Sequence, residues 1–303
     1  MKIVVTGASG HFGSGVVRQL LDRVAPQDLI LVTRDPTRLG HLTDRGVTVR
    51  HGDFDDRQSL VAAFSGGDKL LLISATKVGF RIPQHRNAIE AAAEAGVSHI
   101  VYTSFIASDD SNPSLAVSDH RTTEKLLAAS ALDWTVLRNA QYTDAVIEAM
   151  APLALQRGRW IASAADGKMA HVWRDDCIAS AVAVLSTPGH INIKYDITGP
   201  ELLSFREIAA FISHVTGRSI AFEAVTDDAM YAFFDALGIP REAVPDQSVG
   251  DVPWSSDDMV SFECAIREGH MAVISDHVEQ LTGRKPRSVL DMAIDRRGAL
   301  MAA

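Results

Sequence analysis

The chain has 303 residues, with 29 Lys+Arg against 38 Asp+Glu, a net charge of −9 and 47% hydrophobic residues. This composition excludes a disordered or fibrous chain and provides for a sizeable core. It argues against a nucleic-acid binder, which needs a basic footprint, and it requires any anionic ligand to be held by local groups against an unfavourable mean field.

In chain order, short β-rich runs alternate with helix-periodic stretches. Strands are predicted at Ile3–Val5, Leu29–Val32, Val47–Val49, Leu70–Ile73, Ile100–Tyr102 and Trp134–Leu137. Helices are predicted between them at Gly13–Leu21, Ser59–Phe64, Gln84–Ala95 and His120–Ala129. Runs such as Leu70–Ile73, apolar without alternation, fit parallel strands covered on both faces. Further on, the pattern gives one helix from Thr143 to Gln156, an extended stretch Arg159–Ile161 and a helix Asp176–Leu185. A strand Lys194–Thr198 follows, then a helix opened by the capping box Ser204–Glu207. The remainder, punctuated by Pro240, Pro245, Pro253 and Pro286, reads as short helices joined by loops.

The expected architecture is α/β: a Rossmann-like, doubly wound parallel sheet with a smaller, mainly helical C-terminal lobe. The sheet domain is expected over 1–155, with 172–200 returning to it. The substrate lobe is expected over 201–303, with 156–171 able to contribute. The two cysteines, Cys177 and Cys264, lack metal-type spacing and read as small buried hydrophobes in a reducing compartment. The eleven histidines include no His-Glu-x-x-His, so no metal site is expected. With no apolar run of about 18 residues and no signal-peptide pattern at the start, a cytoplasmic protein is expected, without membrane or nucleic-acid partners.

The strongest motif follows the first predicted strand directly: Gly7-Ala8-Ser9-Gly10-His11-Phe12-Gly13. Gly7 suits the tight turn, Gly10 the approach of a phosphate, and Gly13 the close packing of helix on sheet. The helix N-terminus presents free N–H groups to a pyrophosphate. This resolves the charge problem, because main-chain dipoles can bind a dianion in an acidic protein. Beyond the second strand comes Arg34, where a carboxylate would select NAD; a guanidinium there can clamp a 2′-phosphate, so the cofactor is expected to be NADP(H). The competing reading is a solvated arginine at a helix start. Asp53 and Phe54 stand where an adenine would lie, or they belong to a turn.

An absence is equally informative. The tyrosines Tyr102, Tyr142, Tyr195 and Tyr231 have Ile106, Val146, Gly199 and Asp235 at i+4, so no Tyr-x-x-x-Lys proton relay exists. Ketone–alcohol interconversion by a tyrosine relay is therefore not expected. His120 and Glu124 could form an acid/base pair, although a surface i,i+4 contact is the favoured reading.

The runs Val78-Gly79, Arg81, Pro83–Asn87, Ala95–Val97, Tyr102–Ser104, Thr123–Lys125, Leu137–Asn139, Tyr142 and Asp166–Lys168 resemble the NmrA-like atypical short-chain reductases. The likeness is greatest to their NADPH:quinone oxidoreductase branch, with triphenylmethane-dye reductases and azoreductases as relatives. It covers most of residues 1–225. The resemblance implies an NADPH site built from Gly7–Phe12, Arg34, Ser74-Ala75-Thr76 and Asn139–Tyr142, with Arg174 as a further contact; Ser74 and Asn139 could instead be turn chemistry. It implies a soluble reductase of quinones or related electron-poor aromatics. His120 and Tyr142 are the polar candidates for catalysis, and Phe80, Phe105 and Trp173 the candidate apolar wall. A homodimer is compatible with this reading. The alternative is an NADP(H)-sensing regulator with little catalysis; a nicotinamide-dependent isomerase or epimerase is disfavoured by the missing Tyr/Lys pair.

Overall fold

The computed structural model describes residues 1–244 and 255–303; the expected turns at Pro245 and Pro253 lie outside the described residues. The elements run β1 (Ile3–Val5), α1 (His11–Leu20), β2 (Leu29–Thr33), α2 (Gly40–Thr43), β3 (Thr48–His51), α3 (Arg57–Phe64), β4 (Lys69–Leu72), α4 (Arg81–Glu94), β5 (His99–Phe105), α5 (Leu115–Ala129) and β6 (Asp133–Asn139). They continue as α6 (Thr143–Ala145), α7 (Ala151–Arg157), β7 (Arg159–Ala162), α8 (Arg174–Ser186), β8 (Ile193–Ile197), α9 (Phe205–Thr216), β9 (Ala221–Ala224), α10 (Asp227–Ala236), α11 (Ser256–Arg267), α12 (His277–Thr282), α13 (Val289–Asp295) and α14 (Arg297–Ala302).

Seven parallel strands form one sheet in the order β3-β2-β1-β4-β5-β6-β8. The fold is the expected doubly wound one. The order reverses between β1 and β4, and a crevice opens at the C-terminal ends of strands at such a point. The loops after β1 and β4 carry Gly7–Phe12 and Ser74–Thr76 respectively. The central strands are apolar on both faces and fully buried, Ile3-Val4-Val5 and Leu70-Leu71-Leu72 all at 0% exposure.

Several boundaries differ from expectation, each for a local reason. The segment 143–157 is broken: α6 passes into a π-turn, Val146–Met150, before α7. Pro152 has no N–H for the Glu148 carbonyl and its ring crowds that carbonyl, so the backbone widens there. Helix α4 begins at Arg81 despite Pro83, because an N–H in the first turn has no intrahelical acceptor anyway. Helix α5 starts five residues before His120, capped by Ser114. The four-residue strand β9 was not predicted; its residues are mostly exposed and it is held by parallel pairing with β7.

Three buried ionic or polar anchors join distant segments. Glu124 on α5 accepts from Ser104 of β5 (2.7 Å), from Arg138 of β6 (2.9 and 2.7 Å) and from Lys194 of β8 (2.8 Å). Asp176, fully buried in α8, receives Arg284 (2.6 Å) and both the backbone and side chain of Arg287 (3.0 and 3.1 Å), which ties the C-terminal segment to the sheet layer. Lys69 on β4 donates to the last carbonyls of α8, those of Val184 and Leu185. Cys177 is buried and Cys264 half-buried; both are free. Among the described residues no helix is long and apolar enough to cross a membrane.

Removing the Glu124 carboxylate strands the largely buried Arg138 guanidinium. Glu124→Ala is therefore expected to lower unfolding free energy by about 3–5 kcal/mol, read from urea melts; a loss below about 1 kcal/mol would show that the anchor carries no net stability. Acid should also destabilise. Burial pushes His85 down to about 3 and His99 and His171 to about 4, and holds His120 well below its ordinary value. Below pH ~6.5 these rings take up protons in the unfolded chain but not in the folded one, so stability falls as pH falls towards 4. Asp258 and Glu263, raised by burial to about 6 and about 7, bind protons preferentially when folded and oppose this. Four histidines outnumber two carboxyls, so the midpoint urea concentration should be lower at pH 5 than at pH 7; a higher midpoint at pH 5 would contradict the assignment.

Candidate active site

The loop after β1 is shaped by one close approach. Gly7 has φ +58°, and a Cβ on Gly13 would meet the Gly7 carbonyl oxygen at 2.3 Å and Ala8 Cα at 2.8 Å. Gly13 thus lets the helix pack on its own loop, a correction to the expected packing on the sheet. Two residues on, Gly15 supplies the close helix–helix approach, with its Cβ position 2.5 Å from Ile178 of α8. Thr6 fastens the loop base by donating to Leu71 O and accepting from Ile73 N, both at 3.0 Å. Ser9 fastens its rim to Thr33 at the end of β2 (2.9 Å). Gly10 caps α1 with no side chain, and no acidic residue occupies the first turn. The first-turn N–H groups therefore keep their affinity for an anion.

At the end of β2, Asp35 is already committed: its carboxylate caps the next turn through Thr37 N (3.1 Å) and Thr37 Oγ1 (2.5 Å), which hold it below the usual carboxylate range. Arg34 is exposed and makes no polar contact among the described residues. Beside Ala8 and Ser9 a cleft of about 470 Å³ opens between α1 and α2, lined by Arg18, Arg38, His41 and Arg45 with a single acid, Asp22. Asp53 accepts from Asp55 N (3.1 Å) in the turn before α3, and Phe54 packs edge-on to His85 with its carbonyl bound by Asn87. Both residues thus already serve that turn.

Across the crevice, the Ser74–Thr76 loop is clamped from below. Ser74 N donates to Thr103 Oγ1 (2.9 Å), and Ala75 N donates to His85 Nε2 (2.9 Å). That donation leaves Nε2 unprotonated. Since His85 is neutral at ordinary pH, its proton sits on Nδ1, directed at Thr123 Oγ1 (2.9 Å). The Arg81 Nε donates to Ala75 O (2.7 Å) and its Nη2 to Thr76 O (3.1 Å). Its Nη1 lies 3.4 Å from His120 Nε2, and the Nδ1 of that ring lies 2.7 Å from the Tyr102 hydroxyl. His120 and Glu124 are both buried at 5% exposure and do not meet. The expected surface contact is overturned, because α5 turns this face onto β5. Both His120 nitrogens are engaged, and the ring stacks with Phe105 (6.1 Å), which meets Phe262 of α11 edge-on (5.9 Å). Phe80 lies nearby under the Lys77 ammonium (5.4 Å).

On the loop's other flank, Phe12 stacks on Tyr142 (6.4 Å), with the Arg174 guanidinium over the phenol ring (5.5 Å). Arg174 is also paired to Asp144 (3.5 Å), while His11 is exposed. Asn139 Nδ2 reaches the Tyr142 hydroxyl (3.4 Å), and burial raises that phenol's pKa. Asn139 Oδ1 is buried without a partner, an unused acceptor at the C-terminal end of β6. Trp173 departs from the expected substrate wall: its indole donates to Ser288 O (2.8 Å) and lies under Arg287 (3.8 Å), covered by the C-terminal segment. Arg81, Tyr102 and Phe262 were not among the expected site residues. Arg81 and Tyr102 stand only among the runs that carry the resemblance, with no role attached, since they act through contacts between elements distant in sequence; Phe262 lies some 160 residues away in sequence from Phe105.

An uncapped helix start, a loop that only glycine fits and an orphaned buried acceptor together suit a dinucleotide. The NAD(P)H-binding family model matches residues 7–174. Quinone oxidoreductase 2 of Escherichia coli is 37% identical over 251 residues, 82% of this chain and 87% of that protein. The NADPH complex of an E. coli NADPH-dependent quinone oxidoreductase superposes with a TM-score of 0.87 at 32% identity, covering 96% of this chain and 98% of that one. The NADP(H) complex of a Citrobacter sp. triphenylmethane reductase gives 0.83 at 29% identity, covering 98% and 100%. The chain therefore belongs to the NAD(P)H-binding oxidoreductase family, among its NmrA-like atypical short-chain reductases.

Proposed function

We propose that this protein is an NADPH-dependent reductase that passes a hydride to a quinone or a related electron-poor conjugated acceptor. The observation that carries the reading is the combination of an uncapped α1 N-terminus with aromatic stacks at the C-terminal ends of the strands, Phe12–Tyr142 and Phe105–His120, in a chain without a tyrosine–lysine relay. NADPH, when bound, supplies the hydride. In this reading Gly7–Phe12 hold its pyrophosphate, Arg34 its 2′-phosphate, and Ser74–Thr76 with Asn139 the other end. The Phe12–Tyr142 stack and Phe105 fix ring planes, which is most of what hydride transfer to a reactive acceptor requires.

The two expected polar catalysts are poor proton donors at neutral pH. His120 is kept neutral by burial and by Arg81, and the Tyr142 phenol is raised above its ordinary value by burial. An acceptor whose reduced form is a stabilised anion needs no such donor, because water can protonate it afterwards. This favours quinones over simple ketones.

Incubating the protein with NADPH and a panel of quinones, azo dyes, triphenylmethane dyes and simple ketones should give turnover with the conjugated acceptors only. NADPH binding without oxidation by any of them would defeat the reductase reading and leave that of a cofactor-sensing regulator. Arg34→Ala should weaken NADPH binding roughly 10- to 100-fold, the equivalent of one charge-assisted contact, and barely change NADH binding. Fluorescence titrations showing equal losses for the two cofactors would remove Arg34 from the 2′-phosphate.

A further inference from the structure

Hydride addition to a quinone puts negative charge on oxygen. The C–H bond of the dihydronicotinamide breaks and its electron pair forms a C–H bond at a ring carbon conjugated with the carbonyl; the π pairs shift so that the carbonyl oxygen becomes an enolate oxyanion and the nicotinamide becomes NADP⁺. The oxyanion then takes a proton from water, leaving hydroxide, and loss of the ring C–H proton with protonation of the second oxygen completes the hydroquinone. Something in the crevice has to accommodate that charge in a chain whose net charge is −9. Neither the neutral His120 nor the Tyr142 phenol can do so as a cation.

One guanidinium meets the requirement. Arg81 opens α4 immediately after the Ser74–Thr76 loop and is only half-buried. Its direct partners are all neutral: the carbonyls of Ala75 and Thr76 and the His120 imidazole. Of its five N–H donors, those three contacts leave two uncommitted. The buried carboxylates Asp119 and Asp258 feel its charge, yet neither forms an ion pair with it among the described residues; Asp119 instead accepts from Gly79 N (2.7 Å). The guanidinium is therefore fixed in place without being neutralised by direct contact, beside the Phe105–His120 stack that bounds the aromatic wall.

We propose that Arg81 is a catalytic residue, whose guanidinium stabilises the oxyanion formed on the acceptor, and that His120 and Tyr102 position it. The inference rests on the reductase reading above. A preorganised donor of this kind acts most strongly where charge develops in a water-poor site. His120 contributes by accepting from Nη1, so its proton stays on Nδ1, directed at Tyr102. Its neutrality is then an asset, since a protonated ring would repel the guanidinium.

The charge of the acceptor separates this role from a structural one. A cationic triphenylmethane dye becomes neutral on taking up a hydride, so it presents no oxyanion. Arg81→Gln should reduce kcat/KM for a benzoquinone about 100-fold, the usual cost of one such donor. The ratio of quinone to dye kcat/KM should fall by at least tenfold. Arg81→Lys, which keeps the charge and much of the packing, should recover part of the loss. A second readout needs no turnover. 4-Nitrophenol titrated spectroscopically on the protein with NADP⁺ should ionise at lower pH when bound than when free, and Arg81→Gln should abolish that depression. Equal losses with quinone and dye, or a bound nitrophenol that ionises alike in wild type and variant, would reduce Arg81 to a loop clamp. Wild-type protein that reduces no quinone would defeat the reductase reading itself, and the nitrophenol titration would still decide whether Arg81 holds an oxyanion.

Discussion

The site depends on the passage of α1 against its own loop, where the Gly13 Cα lies so close to the Gly7 carbonyl that no side chain fits between them. That approach aims the first-turn N–H groups of α1 into the crevice, and Gly10 leaves them uncapped. Packing of Gly15 against Ile178 then sets the distance from α1 to α8. Helix α8 in turn holds Asp176, on which the C-terminal segment is anchored through Arg284 and Arg287. The loop together with Gly15 thereby governs both how the α1 N-terminus is placed and how α8, with the C-terminal segment it anchors, meets the sheet.

Around this loop, charge is arranged locally, against the overall balance. Glu124 and Asp176 are buried and matched by basic groups, which makes them joints of the fold. Arg34, Arg38, Arg18 and Arg45 form no ion pair among the described residues and gather around the end of β2 and the neighbouring cleft. Arg81 is fixed by neutral partners. In an acidic protein, cations kept free of carboxylates mark the places where an external anion is wanted, because a paired arginine has little left to offer one. Net charge consequently says nothing about the ligand here; the distribution of unpaired guanidinium groups says more.

Buried histidines bring a related economy. His85 links the Ala75 backbone to Thr123, and His120 links Arg81 to Tyr102. Both are neutral, so each has one donor and one acceptor nitrogen, and a fixed partner at one nitrogen dictates the other. The loop after β4 is thus oriented by two rings whose tautomers are not free to change at neutral pH.

The sequence by itself determined the parallel sheet, its central strands and the glycine loop, because these follow from local hydrophobic runs and from backbone positions that only glycine satisfies. It also excluded the tyrosine relay, which is a matter of spacing, and it put Arg34 directly after β2, a position that chain order alone determines. What tertiary structure alone decided was the fate of side chains that meet across elements. His120 and Glu124 share a helix face by spacing yet find different partners, because that face packs onto the sheet, where Tyr102 takes up His120 while Ser104, Arg138 and Lys194 take up Glu124. Trp173 lies close in sequence to the site but is covered by a segment more than a hundred residues later. Strand β9 exists only because β7 is there to pair with it. Arg81 stands among the runs that carry the family resemblance, but its three neutral partners, with no ion pair among the described residues, are a property of packing that no window of sequence contains.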